Sequence, residues 1–166
     1  MKNIRLWIVV CSLITGISAA RAESGHRIGG GVNYWVAVDD LGSEFDESGL
    51  SYLASYQYRG GLIGMQLDVE YLADLFAEDA YAPAGYIIIG NALYGALGVG
   101  MLNYDGDWAD DPFFAAKIGF DLELLPSLYL DLAASYRFES DLTVDQALDD
   151  VSTDTVFLGA AVRLGF

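Results

Sequence analysis

From Ile28 to Phe166 the chain places apolar side chains at every second position, in segments of about ten residues. A period of two is the signature of a strand with two unlike faces, since a helix would space its apolar residues three and four apart. Eight segments show it: residues 28–38, 50–59, 62–72, 84–90, 93–103, 113–123, 128–138 and 155–166. In the third, Ile63, Met65, Leu67, Val69 and Tyr71 alternate with Gly64, Gln66, Asp68 and Glu70. The last runs Val156, Leu158, Ala160, Val162, Leu164 and Phe166, with Arg163 on the face behind. The fourth and fifth are blurred by Ile87-Ile88-Ile89 and several glycines, and their phase is open.

The connections alternate as well. Short turns are expected at Gly60-Gly61, near Gly90-Asn91 and through residues 124–127. Four longer connections, residues 39–48, 73–83, 104–112 and 139–154, carry 18 of the 24 acidic residues and no lysine or arginine. Short turns at one end and long polar loops at the other are the layout of a transmembrane barrel. The expected fold is all-β, an eight-stranded antiparallel up-and-down barrel over residues 23–166, with no second domain.

Residues 1–22 stand apart. Lys2 and Arg5 precede an apolar run from Leu6 to Ile17, and Ala20-Arg21-Ala22 is a small-x-small cleavage site. This is a secretory signal peptide by pattern, too short for a membrane span. The one cysteine, Cys11, falls inside it behind Val10, where a lipoprotein signal would want a small residue. Beyond the leader, no run of 18 apolar residues suggests a membrane helix. Five basic residues, Arg27, Arg59, Lys117, Arg137 and Arg163, face 24 acids, a net charge of −19. That excludes nucleic acid as an expected partner, because phosphate binding needs clustered cations.

Alternation does not say which face points inward. Two features decide for an apolar exterior. The other face is rich in Gly, Ser and Ala, which suits a narrow lumen and not a solvated surface. It also carries four of the five cations (Arg59, Lys117, Arg137, Arg163) with five acids (Asp68, Glu70, Asp121, Glu123, Asp131). Near-balanced charge in so acidic a chain points to paired ions in a closed space. Lipid-facing Lys or Arg would cost about 2–4 kcal/mol each near the midplane. These nine residues form the expected lumenal network. Arg59, Asp121, Glu123, Asp131 and Arg163 belong to the turn end; Asp68, Glu70, Lys117 and Arg137 belong to the loop end. The hairpin through Pro126 brings Asp121 opposite Asp131, with Arg163 as a candidate counter-ion. Solvated charges bridged by water are the alternative. Aromatics on the apolar face near strand ends suit interfacial girdles.

The leader, the eight strands and the terminal Phe166 behind Leu164, Val162 and Ala160 together resemble the small outer-membrane barrels of Gram-negative bacteria, of the OmpA-transmembrane-domain and OmpX type. The resemblance spans Arg27 to Phe166 and is architectural. It implies an outer-membrane location with periplasmic termini, lipid and lipopolysaccharide as surroundings, and a C-terminal strand (Phe166, Leu164, Val162) read by the barrel-assembly machinery. It implies no peptidoglycan-binding domain.

Catalytic chemistry is not expected, nor any cofactor. A lipid-modifying barrel enzyme needs a nucleophile with a base in reach. The one histidine, His26, precedes the first expected strand, and no strand or outer loop supplies another. Asp105, Asp107, Asp110 and Asp111 could hold a hard cation, though the full EF-hand spacing is missing. The acidic loops together could gather divalent cations. The expectation is a non-enzymatic barrel with a structural or surface-interaction role. The rivals are a lipid-modifying enzyme, a narrow channel and a soluble ligand-binding barrel.

Overall fold

The computed structural model describes residues 25–37, 48–75, 78–104, 106–139 and 155–166. Ten strands follow in chain order: β1 (Gly25–Ala37), β2 (Ser48–Gly60), β3 (Ile63–Leu75), β4 (Glu78–Gly90), β5 (Leu93–Gly100), β6 (Asn103–Tyr104), β7 (Asp107–Trp108), β8 (Phe113–Leu125), β9 (Leu128–Glu139) and β10 (Thr155–Gly165). Eight of them close a barrel in the order β3-β2-β1-β10-β9-β8-β5-β4, with β4 back on β3. Every pairing is antiparallel. The chain's last strand pairs with its first over eleven residue pairs, from Arg27 opposite Gly165 to Ala37 opposite Thr155. The strand at the C-terminus is therefore the closing stave.

The apolar face is the outer one. Ile63, Met65, Leu67 and Val69 are exposed, while Gly64, Gln66, Asp68 and Glu70 between them are buried. The same parity settles the isoleucine triplet: Ile87 and Ile89 face out and Ile88 faces in. A water-soluble barrel would invert this pattern.

The lumenal face is bulkier than glycine, serine and alanine alone would make it. Trp35, Leu72, Tyr86, Ile88, Tyr94, Phe113, Tyr129 and Phe157 also point inward. They fit because glycine stands opposite five of them. Trp35 pairs with Gly49, Tyr86 with Gly98, Ile88 with Gly64, Tyr94 with Gly119 and Phe113 with Gly100. A β-carbon on Gly119 would lie 2.6 Å from the Tyr94 ring. These four rings thus lie over a bare backbone, and the narrow interior fills without splaying the strands.

Three expected boundaries are corrected. β1 begins at Gly25, so His26 and Arg27 lie within it. The expected long loop at 73–83 is instead strand: β3 runs to Leu75 and β4 starts at Glu78. Its inward residues Ala80, Ala82 and Ala84 are too small to show hydrophobic contrast in the sequence, and Pro83 resembles a breaker. That proline lies opposite Met101, one step beyond the last β4–β5 pair, and its carbonyl accepts the Met101 N–H at 3.1 Å. It occupies the short gap between the β4–β5 and β4–β6 pairings, which share one register, so the missing donor falls where the ladder is interrupted. Finally, β5 stops at Gly100, and β6 and β7 form a small hairpin appended to β4.

Candidate functional site

Inward parity on six strands collects the charges along the barrel axis. At the turn end, Arg27 of β1 and Arg59 of β2 both donate to Oδ2 of Asp121 on β8, the second at 3.2 Å. Arg59 also donates to the Gly90 carbonyl at 3.0 Å. Gln57 Oε1 accepts from both arginines, at 3.3 and 3.1 Å. The Arg27 guanidinium lies 3.6 Å from the centre of the Tyr129 ring, a cation–π contact in a desolvated setting.

One layer further in, Asp131 of β9 accepts from Arg163 of β10 and from the Tyr94 hydroxyl, the latter at 2.8 and 3.0 Å. Asp121 and Asp131 are direct cross-strand partners. Two facing carboxylates would repel; arginines on either side neutralise them. Arg163 Nε reaches Ser55 at 3.2 Å. Gln57 donates to Gln66 at 2.9 Å, and Gln66 donates to Asp68 at 2.8 and 2.9 Å. Lys117 of β8 donates to Asp68 at 2.9 Å, with its ammonium 4.1 Å from the Tyr86 ring centre. Toward the loop end, Glu70 accepts from Arg137, Ser51 and Asn33, the last at 2.5 Å. The Arg137 guanidinium stacks between Phe157 and Phe113, at 4.0 and 4.7 Å. Above it Trp35, Leu72, Ala80, Phe113 and Phe157 make an apolar layer, backed by Leu102 and Tyr104.

Eight of the nine residues of the expected network thus line the lumen: Arg59, Asp68, Glu70, Lys117, Asp121, Asp131, Arg137 and Arg163. Glu123 does not. Glu123 still pairs with the inward-facing Tyr129, but it lies at the turn end, beyond the buried tiers, and the β8–β9 register slips only past it, before Leu125. Glu123 is exposed there, and its carboxylate accepts the Ser127 N–H at 3.3 Å. Arg27 takes a place the sequence did not assign, because the strand starts earlier than its apolar pattern. Gln57, Gln66, Ser51 and Asn33 were also missed. Their parity was visible, but neutral amides carry no charge-balance signal.

Five cations meet four carboxylates, and all are buried. A cavity of about 20 Å³ between them is lined by Asp68, Glu70, Lys117, Asp131, Arg137 and Arg163. That is room for about one water. Among the described residues, Arg163 Nη2, Arg137 Nε, Asp121 Oδ1 and Trp35 Nε1 are buried without a hydrogen-bond partner.

Outside the lumen, Val162, Leu164 and Phe166 form an exposed outward row. Phe166 exchanges backbone hydrogen bonds with His26 and stacks on its ring at 5.8 Å. His26 Nδ1 lies 2.6 Å from the Tyr56 hydroxyl, and its ring also packs on Tyr58. Asp107, Asp110 and Asp111 are exposed; Asp105 lies outside the described residues, as do residues 1–22. Among the described residues no three His, Cys, Asp or Glu side chains cluster as a metal site would require.

A closed eight-stranded antiparallel barrel with an apolar exterior and a packed polar interior is a known architecture. The chain is similar to Neisserial surface protein A, with a TM-score of 0.65 at 17% identity over 86% of this chain and 98% of that one. This protein has the fold of a small eight-stranded transmembrane β-barrel. A barrel from a de novo design of transmembrane β-barrels matches with a TM-score of 0.50 at 11% identity, over 87% and 99% of the two chains. Ail, the attachment invasion locus protein of Yersinia pestis, is a looser match, with a TM-score of 0.42 at 19% identity over 86% and 100%. No protein-family model matches the chain, and no curated protein does.

Proposed function

We propose that this protein is a non-enzymatic barrel of the bacterial outer membrane, with periplasmic termini and acidic loops outside. Its role on this reading is structural or surface-interacting. The observation that carries it is the division of charge. All five cations beyond the leader are committed to ion pairs inside the barrel. The sequence leaves 20 acids elsewhere and no basic side chain to offset them. Such a surface attracts divalent cations and repels polyanions. Divalent cations at the rim would bridge acidic loops to the phosphates of lipopolysaccharide. The outward row ending in Phe166 supports the reading of the last strand as a signal for the assembly machinery.

The orientation is tested by single cysteines in the otherwise thiol-free mature chain. A cysteine at 44 or 145 is expected to react with an impermeant maleimide on intact cells, and one at 127 only after lysis. The reverse pattern, or a protein extracted without detergent, would sink the assignment. For the terminal signal, Phe166→Ser is expected to lower the yield of folded barrel in cells while refolding in detergent is unchanged. Equal yields would remove Phe166 from that role.

A further inference from the structure

The lipid-facing wall carries a groove of about 550 Å³ across five neighbouring strands. It is the valley between two adjacent rungs of the sheet. The upper rung is Leu50, Tyr34, Leu158, Ala134 and Ile118, each paired with the next. The lower rung is Val32, Ala160, Leu132 and Phe120. Both rungs dip at an alanine, Ala134 above and Ala160 below, and the larger side chains on either side form the banks.

Its course follows from strand position. Leu50 is the third residue of β2 from the loop end and Tyr34 the fourth of β1, whereas Ile118 and Phe120 are the sixth and eighth of β8. The groove therefore starts near the loop rim and descends toward the middle of the wall. Four inter-strand steps of about 4.8 Å make it about 19 Å long. With strands tilted about 40°, it drops about 12 Å, half of an apolar band about 25 Å tall. That is the depth of one leaflet.

We propose that this groove seats one acyl chain of a lipopolysaccharide molecule in the outer leaflet. The proposal rests on the orientation given above, which puts the loop end outside. Its lining has no charge, and its one hydroxyl side chain, Tyr34, lies at the rim, where a lipid's polar part begins. An apolar wall in a bilayer gains no hydrophobic free energy from exchanging one hydrocarbon for another; fit and dispersion decide. A single polymethylene chain fits a valley between rungs about 6.8 Å apart. A second barrel is convex and meets the wall along a line, far from the roughly 1,200–2,000 Å² that a specific interface buries.

The test uses the whole mature barrel, refolded into vesicles that hold rough lipopolysaccharide and phospholipid in both leaflets. The barrel is then extracted in mild detergent and weighed by native mass spectrometry. Wild type is expected to retain one lipopolysaccharide. Ala160→Phe and Ala134→Phe fill the floor and are expected to lose it at least tenfold. Ala54→Phe, on the same face but off the groove, is expected to retain it. Heat-modifiable migration reports folding; where a phenylalanine variant does not fold, Ala160→Leu and Ala134→Leu replace it. Retention unchanged in the floor variants overturns the proposal. So does retained phospholipid instead, or a wild-type dimer that the floor variants dissociate. Because both leaflets hold the same lipids, this readout does not depend on orientation, and the cysteine labelling fails or stands separately.

Discussion

A single methyl group decides whether a lumenal glycine can be replaced. Gly119 and Gly95 are both strand glycines, but one faces the Tyr94 ring and the other faces lipid with its nearest neighbour at 3.9 Å. Tyr94 cannot yield freely, because its hydroxyl is held by Asp131. Gly119→Val is therefore expected to destabilise the barrel by about 1–3 kcal/mol through overpacking. Gly95→Val is expected to be neutral or mildly stabilising, by up to about 1 kcal/mol, since a strand glycine carries an entropic cost. Urea unfolding in vesicles measures both, and equal midpoints would refute the ring-over-glycine account. The same scale governs Asp131 and Arg163. Removing one partner of a buried pair leaves an uncompensated charge, a cost of about 3–5 kcal/mol. Arg163→Met and Asp131→Leu are each expected to show it. The double variant is expected to recover part of the loss, and a strictly additive double would show that the pair is not coupled.

At the scale of the element, β4 is the instructive strand. Because Pro83 sits in a gap between the β4–β5 and β4–β6 pairings, supplying its N–H should change little: Pro83→Ala is expected to shift stability by less than about 1 kcal/mol. Ile88→Pro removes a donor in mid-ladder and is expected to abolish the heat-modifiable folded band. A destabilised P83A would mean that the ring itself holds the strand at this gap. The upper half of β4 was hidden because Ala80, Ala82 and Ala84 offer no contrast with Tyr81 and Pro83. Where side chains differ strongly between faces, as in β3 from Ile63 to Glu70, parity alone placed each residue correctly. The charge network was legible for the same reason, since parity and sign together select Asp68, Glu70, Lys117 and Arg137. It failed at both edges of the turn end. Glu123 keeps the parity of Asp121 and pairs with inward-facing Tyr129, yet it lies at the open turn end, exposed and beyond the buried tiers. Arg27 precedes the first apolar residue of β1, so the pattern could not claim it. Tyr86 and Tyr94 were hidden behind the ambiguous phase of the isoleucine triplet. Their place depends on glycines of the neighbouring strands, Gly98 and Gly119, which no single-strand pattern reveals.

For the whole molecule, layering makes the lumen a filled core. An eight-stranded barrel is just wide enough for side chains to occupy its interior. Here an apolar layer at the loop end, around Trp35 and Phe157, caps three tiers of ion pairs. A cavity of about 20 Å³ lies among those tiers, room for about one water. Closure is also redundant, because the cap and the charged tiers block the axis at different depths. Planar-bilayer recordings in concentrated potassium chloride are thus expected to show no steady conductance above the lipid baseline. Phe157→Ala and Trp35→Ala thin the cap alone and are expected to stay at that baseline, since Arg137 remains bound to Glu70 beneath. Sustained wild-type openings would refute the filled-core account. Openings confined to the cap variants would show that the ion-pair tiers do not close the axis by themselves, and that the aromatic layer alone keeps ions out.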